Sequence, residues 1–421
     1  MTMTREELAA WLQLLQAKGI GSGTARRLLA AFGLPQQILA QSHAALEPLL
    51  SAKQIAALRT PDASTLELIE TTWQWLQQGD SPAGGKQQTT GVPVQRRLIT
   101  LADPAYPHML LQMADPPVLL YAIGQVDRLL QSTQPCIAMV GSRNPTPQGA
   151  SNARAFGKAF AEMGWTVVSG LALGVDGAAH EGALQAVASH PAAQRGLATI
   201  AVVGTGLDRV YPRQHHDLAH RIVQHGVILS ESPLGTPPLS HHFPKRNRII
   251  AGLSHGVLVV EAALQSGSLI TARLAGEQGK EVFAIPGSIH APQARGCHAL
   301  IKQGAKLVES AQDVLEELRP VVPASSHAAH AGASAAGLSA AEHAAVAKDV
   351  DVAIEAEGEP AMPPDEALLL QALGHDPVGL DMLLARTGMD AATLQAKLLE
   401  LELMGLVGRL PGGLFQRIGM A

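Results

Sequence analysis

Aromatic residues are scarce in this 421-residue chain: phenylalanine, tyrosine and tryptophan together make up 3% of it. Its core must therefore be built from aliphatic side chains and close Ala/Gly packing. Cysteine is nearly absent as well. Cys136 and Cys297 stand far apart and form no CxxC pair, which excludes a disulfide framework and a cysteine zinc site and fits a reducing compartment. No apolar run approaches the length of a membrane span. The opening "MTMTREELAAWLQLLQ" is acidic and amphipathic rather than a basic segment followed by an apolar one, so a soluble cytoplasmic protein is expected. Positive charge is in deficit: 31 Lys and Arg stand against 36 Asp and Glu, a net charge of −5. That excludes a protein coated all over with cations. Any polyanion must be met by a local patch.

What is present is apolar bulk. With 47% hydrophobic and 16% charged residues the chain can bury a sizeable core, and its length predicts two or three domains. Residues 1–80 read as a helical domain, within which "GIGSGTARRLLAAFG" (19–33) has the look of a helix–hairpin–helix turn that aims backbone amides at a phosphate, or of a plain helical connection. A Gly/Pro/Gln-rich linker follows over 81–97. From 98 to 319 the pattern changes. Apolar, β-branched runs ("CIAMVG", "WTVVSG", "TIAVVG", "VILSES", "VLVVEA", "EVFAIPG") alternate with Ala-rich stretches of helical spacing. Strands apolar on both faces, alternating with helices, specify a doubly wound, mainly parallel α/β sheet. Residues 320–362, rich in Ala, Ser, His and Glu, lack the bulk to offset chain entropy and are expected to be a flexible linker. Residues 363–421 read as three helices and two short strands around a Pro-Gly-Gly turn, a winged-helix-like domain.

The segments after the strands carry the chemistry. "GSRNPTPQG", "SGLALGVDGAAH", "GTGLDRVYP", "SESPLGTPP" and "EAALQSGSLITAR" would all lie on one edge of a parallel sheet, where ligands bind. Gly141, Gly170, Gly174, Gly204, Gly206 and Gly267 would let backbone amides approach a ligand, and Ser142, Ser169, Ser266, Ser268 and Thr271 would add hydroxyl donors. Such a crest suits phosphate. No GxxxxGK[ST] run exists, which argues against P-loop nucleotide hydrolysis. The nearest dinucleotide fingerprint, "GTGLDR", has Arg209 where the third glycine belongs, although Glu231 could stand in for the ribose-binding acid. The stretch "HHFPKRNRIIAGLSHGVLVVEA" (241–262) places Lys245, Arg246 and Arg248 at the start of a helix whose Ile249, Ile250 and Leu253 would pack on the sheet. Arg143 in the first crest loop adds a fourth cation. A row of cations beside converging amides suits a phosphodiester backbone crossing several loops; the alternative is a solvated helix start paired with Glu231 or Glu261. With only Phe243 and Tyr211 as crest aromatics, affinity should rest on the backbone and depend on salt.

Together, "GSRNPTPQG", "VVSGLALGVDGAAHEGAL", "TGLDRVYP", "SESPLGTPPLSHHFPKRNRIIAGLS" and "VVEAALQSGSLITARLAGEQGKEVFAIPG", with "YPHMLLQMADPPVLLYAIG" upstream, resemble the DNA-processing protein A family (DprA, also called Smf) over roughly residues 100–318. The resemblance implies a Rossmann-like domain that binds single-stranded DNA, protects incoming strands during natural transformation and loads the recombinase RecA while displacing single-strand-binding protein. It also implies a homodimer formed through that domain, the segment "GCHALIKQGAKLV" (296–308) falling where relatives dimerise; there His298 replaces the asparagine of many relatives. Carried onto matching positions, Arg143, Lys245, Arg246 and Arg248 become phosphate cations, and Gly141, Ser142, Ser169, Gly170, Gly174 and Ser268 a Gly/Ser-rich phosphate pocket, with Phe243 beside them. No metal, cofactor or catalytic residue is expected. The competing class is an enzyme that processes a nucleotide or nucleoside phosphate in the same crest.

Four further features carry expectations of their own. Asp176 and His180 would share a helix face, Asp176 capping the helix and His180 bonding the backbone, rather than forming an acid–base pair. His215, His216 and His220 lack a carboxylate or thiolate at ligand spacing and read as a solvated helix. Glu261 is expected to pair with Arg246 or Arg248. In the tail, the expected recognition helix "AATLQAKLLELELMG" (391–405) sets Lys397 against Glu400 and Glu402, and Arg386, Arg409 and Arg417 are the remaining cations, which leaves protein contact and weak duplex binding equally open.

Overall fold

Six apolar runs of the central region become strands in the computed structural model, which describes residues 3–78, 93–189, 196–318, 364–374, 377–410 and 412–417. They are β3 (Cys136–Val140), β4 (Thr166–Ser169), β5 (Thr199–Val203), β6 (Val227–Ser230), β7 (Gly256–Val259) and β8 (Glu281–Ala284), preceded by β1 (Gln95–Thr100) and β2 (Leu119–Gly124) and followed by the short β9 (Lys306–Leu307). The sheet runs β1-β2-β6-β5-β4-β3-β7-β8-β9. From β6 to β9 every pairing is parallel, whereas β2 meets β6 and β1 meets β2 antiparallel. The chain is doubly wound. It starts at β3, steps outward through β4, β5 and β6, then returns to the other side of β3 as β7, so the topological switch lies between β3 and β7.

Burial explains why these runs are strands. Ile137, Ala138, Met139, Val167, Val168, Ala201, Val202, Val257, Leu258 and Val259 are all fully enclosed, because helices cover both faces of the sheet. On one face the helix His242–Leu253 seats Ile249, Ile250 and Leu253 in a core with Val140, Val202 and Val259. Each such side chain contributes roughly 1.5–3 kcal/mol by leaving water. On the other face the helices Pro147–Glu162 and Val175–Ser189 seat Phe156, Phe160, Ala179 and Ala183 against Ile137, Met139 and Val167.

The amino-terminal helices run from Arg5 to Gln77 and share one core with the antiparallel strands. Trp75 meets Tyr121 of β2 edge-on at 6.0 Å between ring centres, and Arg26 Nη1 donates to the Pro116 carbonyl at 3.0 Å. Strand β1 begins at Gln95, inside the stretch 81–97 expected to be linker; its Gln95–Arg97 portion pairs with Ala122–Gly124 instead. The flexible linker expected over 320–362 lies outside the described residues.

The tail has its own core, formed by Leu369, Leu383, Leu394, Leu398, Leu401 and Val407. Its helices are Pro364–Leu373, Leu380–Thr387 and Ala391–Leu403, with β10 (Val378–Gly379), β11 (Val407–Leu410) and β12 (Leu414–Arg417) in a small antiparallel sheet ordered β10-β12-β11. Three helices and a β-hairpin in this order make a winged helix. Among the described residues no helix is long and apolar enough to cross a membrane.

Candidate nucleic-acid interface

The carboxyl ends of β3, β4 and β5 open into a cleft beside the helix His242–Leu253. Arg143, Gly170, Thr205, Tyr211, Phe243 and Arg246 line it. Arg143 is exposed, and its guanidinium carbon lies 5.3 Å from the centre of the Phe243 ring. Tyr211 lies 5.9 Å from the same ring at an interplanar angle of 32°. A cation stacked on one aromatic, with a second aromatic beside it, forms the lip of the cleft.

Arg246 forms its floor. The side chain is buried, donates from Nη1 to the Val202 carbonyl at 2.8 Å, and sets Nη2 3.8 Å from Asp176 Oδ2. Asp176 also accepts from the Gly170 and Ala172 amides at 3.1 and 3.4 Å. It therefore ties the second crest loop together instead of capping the helix that contains it. Burial pushes the Asp176 carboxyl up, against the pull of Arg246 and the amides, and pushes the Arg246 guanidinium down, with the nearby Arg143 charge acting the same way. Two buried polar atoms on this floor, Arg246 Nε and Thr205 Oγ1, have no hydrogen-bond partner among the described residues. Both residues line the cleft.

The remaining cations diverge. Lys245 is exposed and has no carboxylate partner among the described residues, as is also true of Arg143. Arg248 differs from the expectation for a phosphate cation. It is buried, ion-paired through Nη2 with Glu231 Oε2, and held by the Asp115 carboxylate (Nε–Oδ2 3.3 Å) and the Asp115 carbonyl (2.6 Å). Glu261 also departs from expectation. The carboxylates that meet Arg246 and Arg248 are Asp176, Glu231 and Asp115, while Glu261 accepts from the Thr146 amide and hydroxyl at 2.9 and 2.6 Å.

The Gly/Ser set also separates into a few roles. Ser169 is fully buried and donates to the Met139 carbonyl at 2.6 Å, facing the sheet rather than the crest surface. Gly170 is required because Arg246 crosses it: an added Cβ would lie 1.3 Å from Nη1. Gly174, at φ +80°, would bring a Cβ within 2.4 Å of the Ser142 carbonyl, and a Cβ at Gly141 would meet Val175 at 2.7 Å. These two glycines close the first crest loop onto the second, as does the Val175 amide donating to the Ser142 carbonyl (3.1 Å), while the Ser142 amide ties the same loop to the Glu261 carbonyl after β7 (2.7 Å). Ser142 Oγ accepts from the Asn144 amide, and Ser268, at the start of the helix Ser268–Glu277, shares a hydrogen bond with Ser266. Of the expected residues, the cleft brings together Arg143, Gly170, Phe243 and Arg246. Gly204 and Tyr211, read from the sequence as a crest glycine and a crest aromatic, line it too; Thr205 was not foreseen, and its only sign in the sequence was its place in the segment after β5.

Below the cleft lies His180, fully buried. Its Nδ1 meets Thr199 Oγ1 at 2.6 Å rather than the backbone, and its Nε2 has no partner among the described residues. Burial, reinforced by His215 and Arg246, pushes its pKa down to about 3, so the ring is neutral. His215 anchors the second crest loop through Nδ1 and the Leu171 carbonyl at 3.0 Å. His216 and His220 stack at 4.4 Å, and among the described residues no cluster of metal-ligating side chains is present.

A doubly wound α/β sheet with a cationic, aromatic-lipped cleft at its crest and a winged helix downstream defines a modular protein of the nucleic-acid-handling kind. Comparison with known sequences specifies it. Residues 97–319 match the family described as DNA recombination-mediator protein A, and residues 354–413 match the DprA winged helix domain. Protein Smf of Synechocystis sp. is 34% identical over 435 aligned residues, covering 99% of this chain and 100% of that protein. DNA processing protein DprA of Streptococcus pneumoniae is 48% identical over 218, covering 52% of this chain and 73% of that one. The solved structure of DprA from Streptococcus pneumoniae superposes with a TM-score of 0.55 at 36% identity, over 75% of this chain and 99% of the other. The chain belongs to the DNA recombination-mediator protein A family, and its role is that of a DNA-processing recombination mediator.

Proposed function

We propose that this mediator binds single-stranded DNA along the crest, carries no catalytic activity of its own, and delivers the strand to a RecA recombinase as single-strand-binding protein leaves. The observation that carries the reading is the stack of Arg143 on Phe243, with Tyr211 beside it, above a floor that holds the Arg246 charge. Exposed cations attract the phosphate backbone. Aromatic faces accept unpaired bases, which a duplex does not offer. Lys245 stands on the same helix as Phe243 and Arg246 and would extend the phosphate track along the sheet edge. Of the two groups weighed as an acid–base pair, Asp176 is engaged with Arg246 and two amides, and His180 lies buried beneath.

The homodimer belongs to the same proposal. Among the described residues strand β9 is one of the two edge strands of the sheet, Leu307 on it is 51% exposed, and the adjoining helix Arg295–Lys302 presents Leu300 and Ile301 only partly covered. His298, in the same helix, donates from Nε2 to the Gly287 carbonyl at 3.0 Å, a use internal to the chain.

The test is a fluorescence titration with poly(dT) and, separately, with AMP at low and high salt. Tight binding of the polymer that weakens steeply with salt, with AMP recovered unchanged, is the expected result. Turnover of the mononucleotide, or polymer binding indifferent to salt, would favour an enzyme acting on small phosphates in this cleft.

A further inference from the structure

The winged helix has an exposed face that neither its own core nor the crest uses. In the helix Ala391–Leu403, Leu394, Leu398 and Leu401 are buried against the rest of the domain. At 3.6 residues per turn the opposite face is centred on Ala392, Ala396, Leu399 and Leu403. Leu399 is 56% exposed and Leu403 81%. Glu400 borders this ridge on one side and Glu402 on the other, with Lys397 one step beyond Glu400. A helix that reads a DNA groove presents cations. An aliphatic ridge framed by carboxylates repels phosphate and marks a protein contact.

We propose that the ridge pairs with the same ridge of a second copy of this chain, the two helices running antiparallel. The distribution of side-chain size carries the argument. The small residues, Ala392 and Ala396, occupy the amino-terminal half, and the large ones, Leu399 and Leu403, the carboxyl-terminal half. A two-fold antiparallel crossing sets Leu403 of one copy on Ala392 of the other and Leu399 on Ala396, large into small along the whole seam. A parallel crossing would stack Leu on Leu and Ala on Ala and leave a gap at one end. The antiparallel crossing also brings Glu400 of one copy alongside Lys397 of the other, so the charges at the border become complementary. The contact is separate from the sheet-edge dimer and independent of the nucleic-acid reading. A chain with two different two-fold contacts links dimers into longer assemblies.

The register makes the proposal testable in the full-length protein. Ala392 and Leu403 of one helix are about 16 Å apart at 1.5 Å rise per residue, and a disulfide spans no more than about 7 Å between Cα atoms. In a Cys136→Ser background, mixing Ala392→Cys with Leu403→Cys under mild oxidation is expected to yield a disulfide-linked dimer, whereas neither variant alone does so. Sedimentation over a concentration series should show an association step that Leu403→Glu removes, without unfolding because that side chain is exposed. Glu400→Lys and Lys397→Glu should each weaken the step and their combination restore it. Equal cross-linking of each cysteine variant with itself, or unchanged sedimentation of Leu403→Glu, overturns the proposal. Loss of poly(dT) binding by Arg143→Ala with the association step intact would show that the two surfaces are separate.

Discussion

Arg246 Nη2 and Asp176 Oδ2 face each other across 3.8 Å with both side chains more than nine-tenths buried. The pair joins the helix His242–Leu253 to the loop that follows β4, and so fixes the depth of the cleft between them. A buried pair of this kind adds little net stability over an apolar replacement of both partners. Removing one partner strands the other, at a cost of roughly 3–5 kcal/mol.

Asp176→Asn and Arg246→Met should therefore each lower the urea midpoint strongly, while Asp176→Leu combined with Arg246→Met should recover part of the loss. Gly170→Ala should behave like a single variant, because its methyl would displace Arg246 Nη1. Equilibrium denaturation of the four proteins checks this. Single variants with wild-type midpoints would mean the pair does not hold the crest.

Salt dependence separates the cations. Arg143 and Lys245 are exposed, so replacing either with Ala should weaken oligo(dT) binding and reduce the slope of log K against log salt by about 0.7. Arg248→Met should leave that slope unchanged and act instead on stability, because Asp115 and Glu231 lose their partner. Binding isotherms at several salt concentrations, alongside denaturation curves, distinguish the two outcomes.

That divergence shows how much of the site was legible in the sequence. Lys245, Arg246 and Arg248 look like one patch in a linear string, but a helix turns about 100° per residue. Successive positions therefore face solvent, the cleft floor and Asp115. The partners that fix their roles, Asp176 and Asp115, lie about 70 and 130 residues upstream, beyond any local pattern. The strands beneath the crest were readable because each is a short run apolar on both faces. Strands β1 and β2 were harder to see. Gln95, Arg96 and Arg97 are polar and half-buried, and they form a strand only because β2 is available to pair with them. In the same way, three of the crest glycines are explained by chain crossing over chain rather than by room left for a ligand.

His180 makes an acid-sensitivity prediction. Its pKa is near 6.5 in an unfolded chain and about 3 in the fold, so the unfolded state binds the proton first. The stability gained by keeping the ring neutral is fully present above pH 6.5 and is lost progressively as pH falls toward 3. Asp176, raised by burial, acts in the opposite sense at the low end of this range, so the informative comparison is with His180→Gln. Between pH 6 and 5 the wild type should lose up to about 1.4 kcal/mol per pH unit more than the variant. Urea midpoints measured across that interval give the difference, and parallel curves would show that His180 does not titrate with folding.

The aromatic lip makes a different kind of demand on the ligand. If a base rests on Phe243 or Tyr211, replacing either ring with Leu should cost roughly 1–3 kcal/mol of binding, the usual worth of one base stack. The phosphate contacts would remain, so the salt slope should hold while the affinity drops. An oligomer carrying abasic sites provides the control, because it retains the backbone and lacks the stacking partner. It should bind the wild type more weakly than oligo(dT) does, and it should be insensitive to Phe243→Leu and Tyr211→Leu. If the abasic strand loses as much affinity as oligo(dT) on these substitutions, the rings serve to hold Arg143 in place, and the crest reads the backbone alone.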